Sequence, residues 1–207
     1  IDFLYLKENG GITKALNYGL AYLKDKEYKY IARLDAGDIC LNNRFRVQAD
    51  FLYNNPDIHL VGSNIIVKDL QGNFLFNIKV PTDPEQMKNR MFVSSSTVIH
   101  PTIMFKTEIL QKISSYPTKY YTEDYAFYFE VLKEFKISNI DQFLLEKELN
   151  PNSMSLKNRK RQASARLAVI KDNFYFGFYP IYGWIRNYIL YLVPNKTIIS
   201  IKKRLFK

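Results

Sequence analysis

Between Ile12 and Leu23 the residues Ile12, Ala15, Leu16, Gly19, Leu20 and Leu23 return at helical spacing, and a second helical stretch, Arg44–Tyr53, follows a short β-prone run. This succession constrains the fold most. A stripe at spacing three and four must be buried against another layer, and the run Tyr30–Leu34 is short enough to be a mostly buried strand of that layer. The second helix stops at Asn54-Asn55-Pro56, because proline cannot continue it, and Ile58–Val67 then reads as a strand. Strands alternating with helices predict a parallel α/β layer through this part of the chain.

The flanking segments are more mixed. Ile1–Leu6 reads as a strand and Glu8-Asn9-Gly10-Gly11 as a turn. Leu70–Phe74 predicts a hairpin turn into Leu75–Val80. Glu85–Met91 and Thr107–Ile113 predict short helices, and Thr97–Phe105 a strand interrupted at His100-Pro101. Asp124–Phe135 predicts a strong helix with Thr122 as N-cap. Ile137–Asn139 and Phe143–Leu149 read as extended, and from Lys157 onward the chain reads as helix, broken at Pro180 and Pro194.

Length and composition fit one domain with a sizeable core, at 207 residues and 47% hydrophobic. Cys40 is the only cysteine, so no disulfide closes within the chain. The net charge of +10 invites a nucleic-acid reading, but its distribution argues against one. Residues 1–156 hold 18 Lys+Arg and 19 Asp+Glu, whereas residues 157–207 hold 12 Lys+Arg and one acid, Asp172. A neutral body with a basic end points to an anionic surface near that end, with no nucleic-acid partner. Phe174–Val193 is aromatic and aliphatic but contains Gly177, Pro180, Gly183 and Arg186, a poor composition for a spanning helix. Tyr, Trp and basic residues around an apolar stripe suit an interfacial segment; the alternative is a solvated helix packed on the domain. The expected division is residues 1–150 as the main domain and 151–207 as a helical basic extension.

Two acidic pairs could carry chemistry. Asp35 and Asp38 stand at the carboxyl end of Tyr30–Leu34, where open α/β sheets bind ligands. With Gly37 permitting a tight turn, they can converge on one hard cation such as Mg²⁺ or Mn²⁺. An Asp/Gly turn also forms for local reasons alone. Glu123-Asp124 opens a helix, where the dipole favours acids without any catalytic role; the functional alternative is a general base. The same dipole lowers basicity, so burial or a neighbouring acid would have to restore it. His100 reads either as a hydrogen-bonded core residue or as a site residue. No zinc spacing, nucleophile elbow or phosphate-binding lysine loop is present in the sequence.

Taken in order, Asn9-Gly-Gly-Ile-Thr-Lys-Ala-Leu-Asn-Tyr-Gly19, Ile31-Ala-Arg-Leu-Asp-Ala-Gly-Asp38, Arg44 with Gln48, Asn55-Pro-Asp-Ile58 with Val61-Gly62, His100-Pro-Thr-Ile-Met-Phe105 and Thr122-Glu-Asp-Tyr125 resemble the family 2 glycosyltransferases. The resemblance spans roughly residues 1–150. It implies the GT-A fold, a mixed Rossmann-like sheet flanked by helices. It also implies inverting transfer of a sugar from a nucleoside-diphosphate sugar to a saccharide or lipid-linked acceptor in bacterial surface polysaccharide synthesis. By resemblance Asp38 and Asp35 hold the divalent metal and the diphosphate, and Asp124 is the base with Glu123 beside it. Asn9, Lys14 and Asn17 line the nucleotide side and His100 lies near the acceptor. A cytoplasmic location follows, peripheral to the inner face of the membrane. The chain departs from the family where Gly37 stands in place of an acid. It also departs at its start, since the family's P-x-Y-N and D-D-G-S-x-D segments would precede Ile1. An N-terminally incomplete domain is therefore expected, with an inactive remnant or membrane-associating module as the alternative function.

Overall fold

The computed structural model describes residues 2–149 and 158–193. Helix α1 spans Gly11–Lys24 and is followed by β1 (Tyr30–Ala32), β2 (Ile39–Cys40) and α2 (Arg44–Asn54). Strand β3 (Ile58–Lys68), β4 (Phe74–Ile78) and α3 (Pro84–Val93) come next, then a 3₁₀ turn at His100–Thr102 and β5 (Met104–Lys106). The chain continues through α4 (Ile109–Lys112), α5 (Glu123–Glu134), β6 (Lys136–Glu148), α6 (Arg159–Asp172) and α7 (Phe178–Leu192).

Six strands form one sheet in the order β1-β5-β3-β6-β2, with β4 paired to the free end of β3. Only β3 and β6 pair in parallel; β1–β5, β5–β3, β6–β2 and β3–β4 are antiparallel. The sheet is thus mixed, as the resemblance implied, and the parallel run expected through α2 is interrupted by an antiparallel strand. Strands β1 and β3 do run the same way, as a helical crossover through α2 requires. The short β5 inserts between them and runs opposite to both.

Local chemistry explains most boundaries. Asp83 caps α3 by accepting from the Glu85 backbone N–H at 3.0 Å, with Pro84 at the first helical position. Thr122 occupies the N-cap of α5, but its hydroxyl makes no capping bond. Residues 2–6 form no strand, and the two extended segments expected after α5 are one continuous strand, β6. Pro180 does not break α7; it sits in the first turn, where its missing N–H costs nothing. The interruption falls earlier, at residues 173–177. Pro194 lies outside the described residues.

The main core lies between one face of the sheet and helices α1, α3 and α5. It is built from Leu20, Leu60, Met91, Phe92, Phe105 and Phe127, all buried. Val169 and Ile170 of α6 belong to the same cluster, so α6 packs on the domain through its apolar residues. Helix α7 packs in turn on α3 and α6.

Candidate active site

Strand β1 leads directly into the acidic turn. The Arg33 backbone N–H bonds Ile103 O at 2.9 Å, and the Asp38 N–H closes a turn on Asp35 O at 3.2 Å. Gly37 has φ +91°, a conformation that disfavours a side chain, which accounts for glycine between these aspartates. Strand β2 then pairs Ile39 with Glu146 of β6, and this register sets Lys147 beside the turn.

A cluster of alternating charge results. Arg33 Nη2 lies 2.6 Å from Asp35 Oδ1. Lys147 Nζ lies 3.8 Å from Asp35 Oδ2 and 3.7 Å from Asp38 Oδ2. The Asp38 side chain is 4% exposed, and its Oδ2 accepts no hydrogen bond from the described residues. Burial pushes the Asp38 carboxyl above its ordinary range, opposed by the Lys147 ammonium and reinforced by Asp35. A buried carboxylate oxygen that is paired only with an ammonium and lies beside a second carboxylate fits a divalent cation, which typically takes one or two carboxylates plus substrate phosphate oxygens. The described residues contain no cluster of three or more His, Cys, Asp or Glu ligands, so substrate oxygens would have to complete such a shell.

Asp35 opens onto a cleft of about 1450 Å³, and Glu123 and Asp124 line the same cleft from the first turn of α5. Asp38 does not line it, but Lys147, which does, pairs with both Asp35 and Asp38. Asp124 Oδ1 accepts from the Tyr125 N–H at 2.7 Å. Burial raises both acids above the ordinary carboxylate range, while the Arg33 charge pulls each one down. Desolvation therefore overcomes the acidifying effect of the helix N-terminus. Arg33 joins the two acidic groups: it is bonded to Asp35, and its charge reaches Glu123 and Asp124.

The remaining expected residues gather around this cleft. Lys14 and Asn17 of α1 line it. Lys14 Nζ pairs with Glu8 at 3.0 Å. Both ends of the Asn17 amide are engaged by Tyr116, donating to its carbonyl at 2.9 Å and accepting from its N–H at 2.7 Å. Asn9 flanks the cleft and accepts from the Gly11 N–H at 3.0 Å, shaping the turn into α1. His100 is both a lining residue and a buried one, with Nε2 2.9 Å from the Tyr116 hydroxyl. Burial, aided by the Arg33 and Lys147 charges, holds the imidazole well below its usual pKa, so it is neutral at pH 7.

Sequence reasoning assigned no role to Arg33, Lys147, Arg161 or Arg166, yet all four line the cleft. Arg161 and Arg166 come from α6; Arg161 stacks on Tyr121 at 4.1 Å, and Arg166 donates to Ser95 Oγ at 2.7 Å. The signal available for Arg33 was its place two residues before Asp35. Lys147 was detectable only through the β2–β6 register. Arg161 and Arg166 lie five apart on a helix that was read only as basic.

Known proteins share both the sequence pattern and the fold. An uncharacterized glycosyltransferase of Methanocaldococcus jannaschii is 29% identical over 194 residues, covering 85% of this chain and 66% of the relative. A UDP-Gal:alpha-D-GlcNAc-diphosphoundecaprenol beta-1,3-galactosyltransferase of Escherichia coli is 28% identical over 203 residues, covering 97% of this chain and 67% of the relative. The chain thus spans about two thirds of the length of these relatives. Among solved structures, a mannosyltransferase from Pyrobaculum calidifontis in complex with GDP-Man and Mn²⁺ superposes with a TM-score of 0.55 at 15% identity. That match covers 90% of this chain and 51% of the other, and it shows a shared GT-A fold. The model of the family described as "Glycosyl transferase family 2" matches residues 1–114, more than half of the chain, which therefore belongs to that family.

Proposed function

We propose that this chain acts as an inverting glycosyltransferase. It would move a sugar from a nucleoside-diphosphate sugar to a hydroxyl of a saccharide or lipid-linked acceptor, in the assembly of bacterial surface polysaccharide. The observation that carries this reading is the meeting of Asp35, Glu123 and Asp124 on one cleft, with Arg33 between them. The galactosyltransferase relative, named for a diphosphoundecaprenol acceptor, supports a lipid-linked acceptor. Such an acceptor would be met at the inner face of the cell membrane. No helix among the described residues is long and apolar enough to cross a membrane.

The residues divide the work by charge. The Asp124 carboxylate takes the proton of the acceptor hydroxyl, and its raised pKa makes it a stronger base than an exposed aspartate. The acceptor oxygen then bonds to the anomeric carbon as the bond from that carbon to the diphosphate breaks. The bonding pair leaves with the diphosphate, so one displacement inverts the centre. Arg33, Lys147 and Lys14 supply positive charge on the donor side. Asp35 and Asp38 would hold a divalent cation, which when bound neutralises charge on the departing diphosphate. Neutral His100 can accept or donate one hydrogen bond near the acceptor without adding charge.

The test is transfer by the full-length protein from a panel of nucleoside-diphosphate sugars, with the product anomer assigned by NMR. An α-linked donor should give a β-linked product. Retention of configuration, or no transfer from any donor, would remove the reading.

A further inference from the structure

Helix α7 is apolar on nearly every side, and among the described residues only one of those sides is covered. Pro180, Gly183 and Asn187, at spacing three and four, form the buried side. Gly183 is required there, since a Cβ would lie 2.4 Å from the Phe92 carbonyl oxygen of α3. The Asn187 amide donates to Gly183 O at 2.8 Å, so the one polar side chain on this face is satisfied within the helix. A soluble helix would place polar residues opposite such a face. Here the opposite side carries Phe178, Ile181, Ile185, Ile189 and Leu192, between 44% and 72% exposed.

The residues beside this aliphatic keel identify what covers it. Helical spacing sets Trp184, Tyr188 and Tyr191 along one flank and Tyr179 and Tyr182 along the other. All five are exposed. Trp184 and Tyr188 stack at 5.4 Å, and Phe178 and Tyr182 at 5.7 Å. An aliphatic strip edged on both sides by Tyr and Trp matches a bilayer interface, where the strip meets acyl chains and the amphipathic rings sit at headgroup level. Charge selects the lipid: Arg186 is the only charged residue of α7, and residues 157–207 hold 12 cations against one acid.

We propose that α7 lies flat in the headgroup region of an anionic bilayer, with Ile181, Ile185 and Ile189 inserted and Arg186 at the lipid phosphates. This deepens the lipid-linked acceptor reading, because α7 packs on α6, the helix that brings Arg161 and Arg166 to the cleft. Vesicle binding requires neither donor nor acceptor, so it fails or succeeds independently of sugar transfer.

Trp184 is the only tryptophan, so the unmodified protein carries its own reporter. Phosphatidylcholine vesicles containing phosphatidylglycerol should shift its emission to the blue, and brominated acyl chains should quench it. Pure phosphatidylcholine should bind at least tenfold more weakly. Ile185→Asp with Ile189→Asp should reduce vesicle binding at least tenfold, while Phe74→Asp, on exposed β4, should leave it unchanged. Circular dichroism melts of each variant verify the fold. Trp184 emission unaltered by anionic vesicles would overturn the proposal. So would a concentration-dependent dimer, abolished by the double variant, in protein that binds no vesicles, because α7 would then be covered by a second copy.

Discussion

Replacing Arg44 with methionine isolates the buried joint beneath the acidic turn. Arg44 is 1% exposed, and among the described residues no carboxylate forms an ion pair with it, although the Asp38 charge reaches it. Its Nε donates to Gln48 Oε1 at 2.9 Å, and its Nη2 donates to Arg33 O at 2.6 Å and to Ile103 O at 3.4 Å. Methionine fills similar space but takes this donor from Gln48 Oε1 and Arg33 O, while Ile103 O keeps the Arg33 N–H. An unpaired buried acceptor costs roughly 1–3 kcal/mol, and the two short bonds set the loss at about 4 kcal/mol before offsets. Burial holds the guanidinium below its usual pKa, so removing it recovers some desolvation energy. The net destabilisation should be about 2–3 kcal/mol, and a chain of this size loses roughly 2–4 °C per kcal/mol. Thermal melts should therefore fall by about 5–10 °C for Arg44→Met. Arg44→Lys should not restore stability, because an ammonium cannot reach Gln48 on α2 together with the carbonyls of Arg33, just after β1, and Ile103, just before β5. A cycle with Gln48→Met should show coupling of about 0.5–3 kcal/mol. A melt for Arg44→Met within about 1 °C of the parent would refute this joint.

Three further outcomes follow. The depressed pKa of His100 means that below pH 6.5 the unfolded chain binds a proton that the folded chain refuses. Stability should then fall with decreasing pH by up to about 1.4 kcal/mol per unit, and His100→Gln should flatten that slope in urea titrations; parallel curves would contradict it. Gly183→Leu should lower the melt by several degrees, since overpacking costs about 1–3 kcal/mol and the obstructing atom is backbone; an unchanged melt would place α7 elsewhere. Asn17→Ala removes both bonds to Tyr116 and should cost about 1–3 kcal/mol, measured by urea unfolding; a neutral result would show that α1 is held by packing alone.

Much of the site was legible because its parts are local. The turn at Asp35–Asp38 announces itself through glycine after a short strand, and Glu123-Asp124 through a helix start. The common cleft was legible only through the ordered resemblance, since nothing in local spacing brings residues 35 and 124 together. Arg44 and Gln48 belong to that same ordered set, yet the structure gives them a buried structural role. Strand direction was misread for a physical reason. A three-residue strand such as β5 carries too little pattern to betray its insertion between β1 and β3. Lys147 was invisible because its partners depend on β-register, which alternation along one strand does not specify. The aromatic α7 was readable as interfacial from composition, but its covered side emerged only from the contact of Gly183 with Phe92.

The pH dependence of transfer in Asp124→Asn against the parent protein tests the central assignment most directly. A buried carboxylate acting as base should give the parent an acidic limb above the ordinary aspartate range, and the asparagine variant should lose about 10²–10⁴-fold in rate together with that limb. An unchanged rate, or a lowered rate that keeps the same acidic limb, would contradict Asp124 as the group that receives the proton.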